Sequence, residues 1–228
     1  MKSFWIVLAT LSPLIIICLI IVFILDRNSK RTGYRYRFFR QRGKNGKEGE
    51  EIVSYVLKNL KKNDEYIIND FLVARNKEGS YSIQVDHIYI SRKGIFVIET
   101  KNYSGKIYGS LNDEKWVQVL AGGNIKNSFY NPVKQNQTHA EYIYNKLKQQ
   151  YNVYNVVIFV NGDISSVNVT NGSLYDIHSF VREMKMFVAP SIIDTYSLEE
   201  VYKTIMEIQE TNKISMEEHI QNIRTNHL

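Results

Sequence analysis

Cysteine and proline are scarce in this sequence of 228 residues, which has one cysteine, Cys18, and three prolines. A single cysteine excludes an intramolecular disulfide framework and any zinc site built from four cysteines. The low proline content, together with 44% hydrophobic and 12% aromatic residues, excludes a wholly disordered chain and a collagen-like one. The sequence also lacks a G-x-x-x-x-G-K-[ST] loop, so nothing in it indicates ATP hydrolysis by this chain.

Charge is distributed unevenly along the chain. The formal net charge is +6, but residues 26–47 contain nine Lys and Arg residues and only one acid. Residues 48–228 contain 19 basic and 22 acidic residues, a net charge of −3. The basic character therefore belongs to one short segment. The rest of the chain lacks the strongly basic composition that is typical of nucleic-acid-binding domains.

Residues 4–25 form an apolar run without a charged residue. At about 1.5 Å per residue, a helix of this length spans the ~30 Å hydrocarbon core of a bilayer. A signal peptide is the alternative, but it would have a shorter apolar stretch and a small-residue cleavage site, and the sequence has neither. The nine basic residues that follow predict an outside amino terminus and a cytoplasmic domain. We therefore expect a single-pass protein of the cell membrane.

The basic segment 27–47 has two interpretations. It is a topology signal and a solvated stalk, or its interleaved Tyr34, Tyr36, Phe38 and Phe39 hold it against anionic lipid headgroups or a nucleic-acid backbone. The sequence leaves both open. The predicted divisions of the chain are a transmembrane anchor at 1–26, a basic juxtamembrane linker at 27–47, an α/β domain at 48–160 and a mostly helical C-terminal extension at 161–228.

Hydrophobic patterns predict an α/β domain whose mixed central sheet is flanked by helices. In chain order we expect a helix ending near Leu60, strands at Tyr66–Ile68, Phe71–Ala74, Tyr81–Ser91, Ile95–Lys101 and Lys115–Leu120, a loop at Gly122-Gly123, a helix from Pro132 to Gln149, and a buried strand at Val153–Val160. Two capping boxes, Ser197 with Glu200 and Ser215 with Glu218, are each expected to open a helix in the tail.

The two central strands carry the residues with the clearest chemistry. If their turn is centred on Arg92-Lys93, Asp86 lies opposite Glu99, and Lys101 shares their face. Facing carboxylates repel each other unless a cation intervenes. Mg²⁺ suits such a site because it binds one or two carboxylates together with water and substrate phosphate, and Mn²⁺ is an alternative. The plainer interpretation is a structural Glu–Lys ion pair, and a three-residue turn would separate Asp86 from Glu99.

Four motifs occur in the order in which a known family has them. They are Gly46-x-x-Gly49-Glu50, Gln84-Val85-Asp86-His87-Ile88, the run from Gly94 to Gly105 that contains Glu99-Thr100-Lys101-Asn102-Tyr103, and Asn131-Pro132-x-x-Gln135. Over residues 43–150 the chain resembles the nuclease-related domain family, NERD, which is similar to the PD-(D/E)xK restriction-endonuclease-like superfamily. One difference is that Val85, not proline, precedes Asp86.

This resemblance implies a restriction-endonuclease-like fold and a role for five residues. Asp86 and Glu99 are expected as metal ligands, and Lys101 as the residue that positions the attacking water. Glu50 is expected as an additional acidic member of the site, and Gln135 as a polar group on the substrate side.

Three residues near the expected site also have plainer interpretations. Glu50 shares part of the buried face of the first helix, where an acid needs a partner, but a solvated glutamate in a first turn also favours the helix dipole. Gln135 points away from the apolar stripe of its helix and is then simply exposed. His87 is expected to be a packed histidine, because strand alternation places it opposite to Asp86.

Two functions remain open at this point. The first is a membrane-anchored, Mg²⁺-dependent nuclease that hydrolyses phosphodiester bonds of DNA, with RNA as the alternative substrate. The second is a non-catalytic module on the same fold that binds a nucleic acid or a protein partner at the membrane. The negative charge of residues 48–228 favours the second. The complete set of Asp86, Glu99 and Lys101 favours the first, because a fold without catalysis has no chemical reason to hold these charges together.

Overall fold

The computed structural model describes residues 46–75, 81–186 and 195–226. The predicted membrane helix of residues 4–25 lies outside these ranges, as does almost all of the basic linker 27–47. In the described ranges, no helix has the length and apolar character needed to cross a membrane.

Five helices and seven strands are described. The helices are α1 (Gly46–Leu60), α2 (Pro132–Lys146), α3 (Ile177–Met186), α4 (Thr195–Thr211) and α5 (Met216–Asn226), with a short 3₁₀ turn at Ala121–Gly123. The strands are β1 (Tyr66–Ala74), β2 (Ser82–Ser91), β3 (Gly94–Ser110), β4 (Lys115–Leu120), β5 (Ile125–Tyr130), β6 (Val153–Asn168) and β7 (Leu174–Asp176). All seven strands belong to one mixed sheet. The predicted α/β class, with a mixed sheet flanked by helices, is confirmed.

Strand β3 is the long central strand of this sheet. Along one edge it pairs in parallel with β6, from Ile95 to Ser110. Along the other edge it pairs with β2 as far as Ile98, and then with β4 from Lys106 onwards. Residues 99–105 lie between these two ladders and pair with neither β2 nor β4 on that edge. We call this gap in the sheet the notch.

Apolar side chains fill both faces of the central strands. On one face, the buried Ile88, Ile90 and Val97 pack in a cluster with residues of α2 and α4. On the other face lies α1, which buries Ile52, Val53, Val56 and Leu57. A hairpin that is apolar on both faces belongs in the middle of a sheet, and β2 and β3 occupy that position.

The predicted register of the central hairpin is confirmed. His87 pairs with Ile98, Ile88 with Val97 and Ile90 with Ile95, so the connecting turn is Arg92-Lys93 as expected. Because β-strand side chains alternate with a period of two, a shift of one residue would have moved Asp86 away from Glu99.

Strand β1 is one strand rather than the two that the sequence predicts, and it is kinked. Asp70 has a positive φ of 55°, and the ladder between β1 and β2 omits the pair Asp70–Asp86, although the pairs on both sides of it are regular. Ile68 and Phe71 consequently lie in the same buried cluster, although strict alternation would separate them. Beside this kink Ile83 and Val85 of β2 also lie in the same buried cluster as Ile88, although strict alternation along β2 would place them on the opposite face.

The remaining differences concern where elements begin and end. Strand β3 continues to Ser110 instead of ending at Lys101, because the chain passes from one ladder partner to the next without a turn. Strand β6 likewise continues to Asn168, so the boundary expected at residue 160 lies within a strand. Strand β5 was not predicted, since it is an exposed edge strand with a mixed polar sequence.

The two predicted capping boxes differ in outcome. Helix α4 begins at Thr195, so Ser197 lies within the helix rather than before it. The second capping box is confirmed, because Ser215 N–H donates to Glu218 Oε2 at 2.7 Å and Glu218 N–H donates to Ser215 Oγ at 3.1 Å.

Candidate active site in the notch of the sheet

Asp86 lies where β2 separates from β3. The backbone ladder stops at His87 and Ile98, one residue before Asp86 and Glu99 would pair. Instead, the Thr100 N–H donates to Asp86 Oδ2 at 2.7 Å. The Asp86 carboxylate thus takes the place of a backbone carbonyl as the acceptor. Without it, the Thr100 N–H would be left unpaired where the two strands separate. This bond fixes Asp86 at the notch.

Glu99 and Lys101 form an ion pair beneath α2. Lys101 Nζ donates to Glu99 Oε1 at 2.5 Å and to Gln135 Oε1 at 3.4 Å. Glu99 is only 4% exposed. Its second oxygen, Oε2, lies 4.0 Å from Nδ1 of His139, one helical turn beyond Gln135. The side of the notch that faces α2 therefore contains one carboxylate, one ammonium group, one amide and one imidazole.

Helix α2 is held against the sheet by two asparagines. Asn131 Oδ1 accepts hydrogen bonds from the N–H groups of Val133 and Lys134 and so caps the helix. Asn136 donates from Nδ2 to the carbonyl oxygens of Val97, at 2.8 Å, and Val156, at 3.0 Å. The Asn-Pro motif thus has a local physical role, since it starts the helix that carries Gln135 to the notch.

Helix α1 brings Glu50 to the same region. Gly49 is buried against β3, and a Cβ at this position would lie 2.7 Å from Asn102 Cβ, so only glycine allows so close an approach. Burial raises the pKa of Glu50, and the negative charges of Asp70 and Glu99 raise it further, against the opposing effect of Lys47. Glu50 therefore shares an electrostatic environment with the notch carboxylates.

The pKa shifts of the carboxyl groups at the notch reflect burial first and neighbouring negative charge second. Burial, followed by the charge of Glu99, raises the pKa of Asp86 well above its ordinary value, and the hydrogen bond from Thr100 opposes this only in part. Burial acts to lower the pKa of Lys101, but the charge of Glu99 and its hydrogen bond outweigh burial, so the pKa of Lys101 is raised. Lys101 consequently stays protonated at neutral pH.

Four of the five expected site residues are joined by direct contacts or by adjacent positions on β2, β3 and α2: Asp86, Glu99, Lys101 and Gln135. The fifth, Glu50, is coupled to them through its charge. In the described ranges, no group of three or more His, Cys, Asp or Glu side chains is positioned to hold a metal ion.

His87 is packed away from this set, as expected. It is 2% exposed, its Nδ1 lies 2.8 Å from Asn69 Oδ1, and burial lowers the pKa of His87 to about 4. His87 is therefore neutral at physiological pH.

The sequence did not indicate two further residues near the notch. Asp70 occupies the skipped position of β1 opposite Asp86 and acts on Glu50 through its charge. His139 follows Gln135 by four residues and faces Glu99, and burial lowers the pKa of His139. The i, i+4 spacing could have indicated His139, whereas Asp70 could be found only once β1 was known to pair with β2.

Comparison with known proteins agrees with the motifs. Residues 45–160, half of the chain, match the family model of the nuclease-related domain. An uncharacterized protein of Bacillus anthracis is 39% identical over 105 residues, which are 46% of this chain and 48% of that protein. The chain thus spans about half the length of this relative. No solved structure matches the chain. The extent of the family match establishes that the chain belongs to the nuclease-related domain family, NERD.

Proposed function

We propose that the chain is a metal-dependent nuclease that hydrolyses phosphodiester bonds of DNA, with RNA as the alternative substrate, on a restriction-endonuclease-like fold. The observation that carries this proposal is the position of the charged residues. Asp86, Glu99 and Lys101 lie together at the notch, where β3 has no partner strand on one edge. Family membership supports the same chemistry.

The donor set suits Mg²⁺, or Mn²⁺ as an alternative. Burial and, after it, neighbouring negative charges raise the pKa values of Asp86 and Glu50, so a cation at the notch would favour the ionised form of both groups. Mg²⁺ binds hard oxygen ligands and needs only one or two carboxylates when water and substrate phosphate complete its shell. Asp86 and Glu99 are the residues that would hold it. A bound ion of this kind supplies an activated water and stabilises charge on the phosphate.

The residues of the chain itself have separate roles in this proposal. Lys101 is protonated, so it stabilises negative charge that develops on the phosphate and does not abstract a proton. Gln135 accepts a hydrogen bond from Lys101 Nζ and orients the ammonium group. The Thr100 N–H holds the Asp86 carboxylate in place before substrate binds. His139 packs beside Glu99 and limits the access of water to that carboxylate.

A second candidate function is a non-catalytic binding module on the same fold. Two observations favour it. Lys101 already neutralises one oxygen of Glu99, and residues 48–228 have a net charge of −3. Under this alternative the notch is a structural ion pair, and the chain holds a nucleic acid or a protein without cleaving it.

We further propose that residues 4–25 anchor the protein in the cell membrane, with the domain in the cytoplasm. Support comes from the absence of charge in that run and from the nine basic residues in 26–47. The basic linker 27–47 would then contact anionic lipid headgroups.

A cleavage assay on the full chain distinguishes nuclease from binding module. Plasmid DNA, single-stranded DNA and RNA are incubated with the protein in Mg²⁺, Mn²⁺ or EDTA. We expect cleavage with either metal, none in EDTA, and none by Glu99→Gln. Lys203→Ala, which removes an exposed ion pair on α4, serves as the matched control and should cleave normally. If the unmodified protein binds DNA but cleaves it no faster than Glu99→Gln under any of these conditions, the binding module is the correct function.

A further inference from the structure

The second half of β3 forms a three-stranded ribbon with β4 and β5, and one face of this ribbon is rich in lysine and tyrosine. Three rows of paired residues cross it: Lys106 with Val119 and Lys126, Tyr108 with Val117 and Ser128, and Lys115 with Tyr130. Directly paired residues share a face. The residues between them, Ile107 and Trp116, are fully buried in the core, so the lysine rows face outward. We call Lys106, Tyr108, Lys115, Lys126 and Tyr130 the lysine face.

This face is exposed, and its strand residues carry more positive than negative charge. Tyr108 and Tyr130 are 42% and 49% exposed, and the three lysines are exposed as well. No ion pair of these lysines occurs within the described part of the chain. The nearest carboxylate in register is Asp163 of β6, opposite Lys106, and it is already hydrogen-bonded by Ser165. The three strands of the ribbon thus contribute three lysines to this face, while the nearby acids are Asp163 of β6 and, in the turn between β3 and β4, Asp113 and Glu114.

The lysine face lies directly beyond the notch on the same strand. Lys106 follows Lys101 by five residues of β3, and Tyr108 follows it by seven. At about 3.3 Å per residue these separations are at most roughly 17 and 23 Å, because β3 has bulges between Lys101 and Tyr108. At ~3.4 Å per nucleotide of one stacked strand, this is the length of roughly five to seven nucleotides. Lys101 pairs with Phe159 of β6, which packs with the inward-facing Ile107, so Lys101 lies on the opposite face of β3 from the lysine face. The two faces meet at the notch, where β3 has no partner strand on one edge.

The pattern of side chains fits an unpaired strand rather than a duplex. Lysines attract phosphates regardless of sequence, and exposed tyrosines offer surfaces on which bases stack. A base can stack on a protein ring only when it is splayed out of a helix. We propose that the lysine face binds single-stranded nucleic acid and guides its backbone into the notch. This inference rests on the proposed nuclease function and adds the form of the substrate.

The test measures binding by the full chain in EDTA, where the proposed cleavage does not occur. Fluorescein-labelled single-stranded oligonucleotide is titrated at several salt concentrations and followed by fluorescence anisotropy. Lys106→Gln/Lys126→Gln is compared with Lys58→Gln/Lys213→Gln, which removes the same charge from α1 and the turn after α4. The first variant should lower the slope of log affinity against log salt by about 1.4, or ~0.7 for each phosphate that the protein no longer neutralises. The control variant should keep the original slope.

The tyrosines provide an independent test. Tyr108→Ala and Tyr130→Ala should each weaken single-strand binding by about fivefold or more, the range found for the loss of a stacked base. Tyr144→Ala removes a comparably exposed tyrosine from α2 and should have no effect. Melting temperatures of all variants identify any variant that fails to fold, and the corresponding Tyr→Phe variant, which keeps the ring, should bind normally.

Several results would overturn the inference. Equal binding by the Lys106/Lys126 and Lys58/Lys213 variants removes the face from the binding site. Single-strand recognition is excluded if the Lys106/Lys126 variant loses affinity for duplex DNA only and the tyrosine variants bind the single strand normally. A weakened affinity for phosphatidylserine vesicles with unchanged oligonucleotide binding assigns the face to lipid. Because binding is measured separately from cleavage, an inactive protein whose single-strand binding still depends on the lysine face would refute the nuclease proposal and keep this inference.

Discussion

Lys101→Ala should destabilise the protein far more than Lys203→Ala. Each variant removes a lysine whose Nζ lies close to a glutamate Oε1, at 2.5 Å from Glu99 and 2.6 Å from Glu199. The pairs differ in burial, because the side chains of Lys101 and Glu99 are 17% and 6% exposed, whereas those of Lys203 and Glu199 are 72% and 53% exposed. The comparison therefore isolates the effect of leaving a buried carboxylate without its partner.

The expected magnitudes follow from this difference in burial. Removing one partner of a buried ion pair costs about 3–5 kcal/mol. We expect about 2–3 kcal/mol for Lys101→Ala, because water can enter the space that the side chain leaves. An exposed pair contributes about 0–1 kcal/mol. Since 1 kcal/mol corresponds to roughly 2–4 °C in a protein of this size, the melting temperature should fall by about 4–12 °C for Lys101→Ala. For Lys203→Ala the fall should not exceed about 4 °C.

Differential scanning calorimetry measures both shifts, and a double variant tests their cause. Glu99→Gln on the Lys101→Ala background removes the unpaired charge and should recover much of the lost stability. If Lys101→Ala and Lys203→Ala lower the melting temperature equally, or if the double variant is no more stable than Lys101→Ala, Glu99 is not a buried, charge-dependent member of the site.

Two further predictions follow from the structure, and a third follows from the sequence. Asp86→Asn should stabilise the apo protein at neutral pH, because the raised pKa of Asp86 means that ionisation of this group opposes folding. This gain in stability should be absent below the ordinary aspartate pKa of about 4 and should grow as the pH rises through the raised pKa of Asp86. Melting curves measured across this pH range test the prediction, and a gain that shrinks as the pH rises would contradict it. Gly49→Ala should lower the melting temperature and weaken any activity, because its Cβ would lie 2.7 Å from Asn102 Cβ and push Glu50 and α1 away from the notch; unchanged stability would show that α1 can move freely. Protease added to intact cells should leave residues 48–228 uncut, and digestion from outside would overturn the predicted topology.

The central hairpin could be predicted from sequence because several local signals agree. Alternating apolar residues define both strands, and the Arg92-Lys93 turn fixes their register. Because both faces of the hairpin are apolar, this turn, and not the burial pattern alone, determines the register. For the same reason the proximity of Asp86, Glu99 and Lys101 could be anticipated. Gln135 followed from the Asn-Pro motif that starts α2 and not from its own position on a helical wheel.

The shape of the notch could not be predicted in this way. The notch exists because the ladder between β2 and β3 ends at the pair His87–Ile98 and the ladder between β3 and β4 begins only at Lys106. No residue type in the sequence predicts where either ladder ends or begins. The kink at Asp70 requires a positive φ in a residue other than glycine, which tertiary packing imposes. Strand β5 has little apolar alternation because it is an exposed edge, so the lysine face appears only when the ribbon is assembled.

The most direct test of the account is whether the notch binds a divalent cation through Asp86 and Glu99. Isothermal titration calorimetry with Mg²⁺ and Mn²⁺ measures this on the full chain, on Asp86→Asn and on Lys203→Ala. We expect a binding event in the unmodified protein that Lys203→Ala keeps and Asp86→Asn loses. Equal binding by all three proteins, or no binding by the unmodified protein even when an uncleavable oligonucleotide is present, would contradict it.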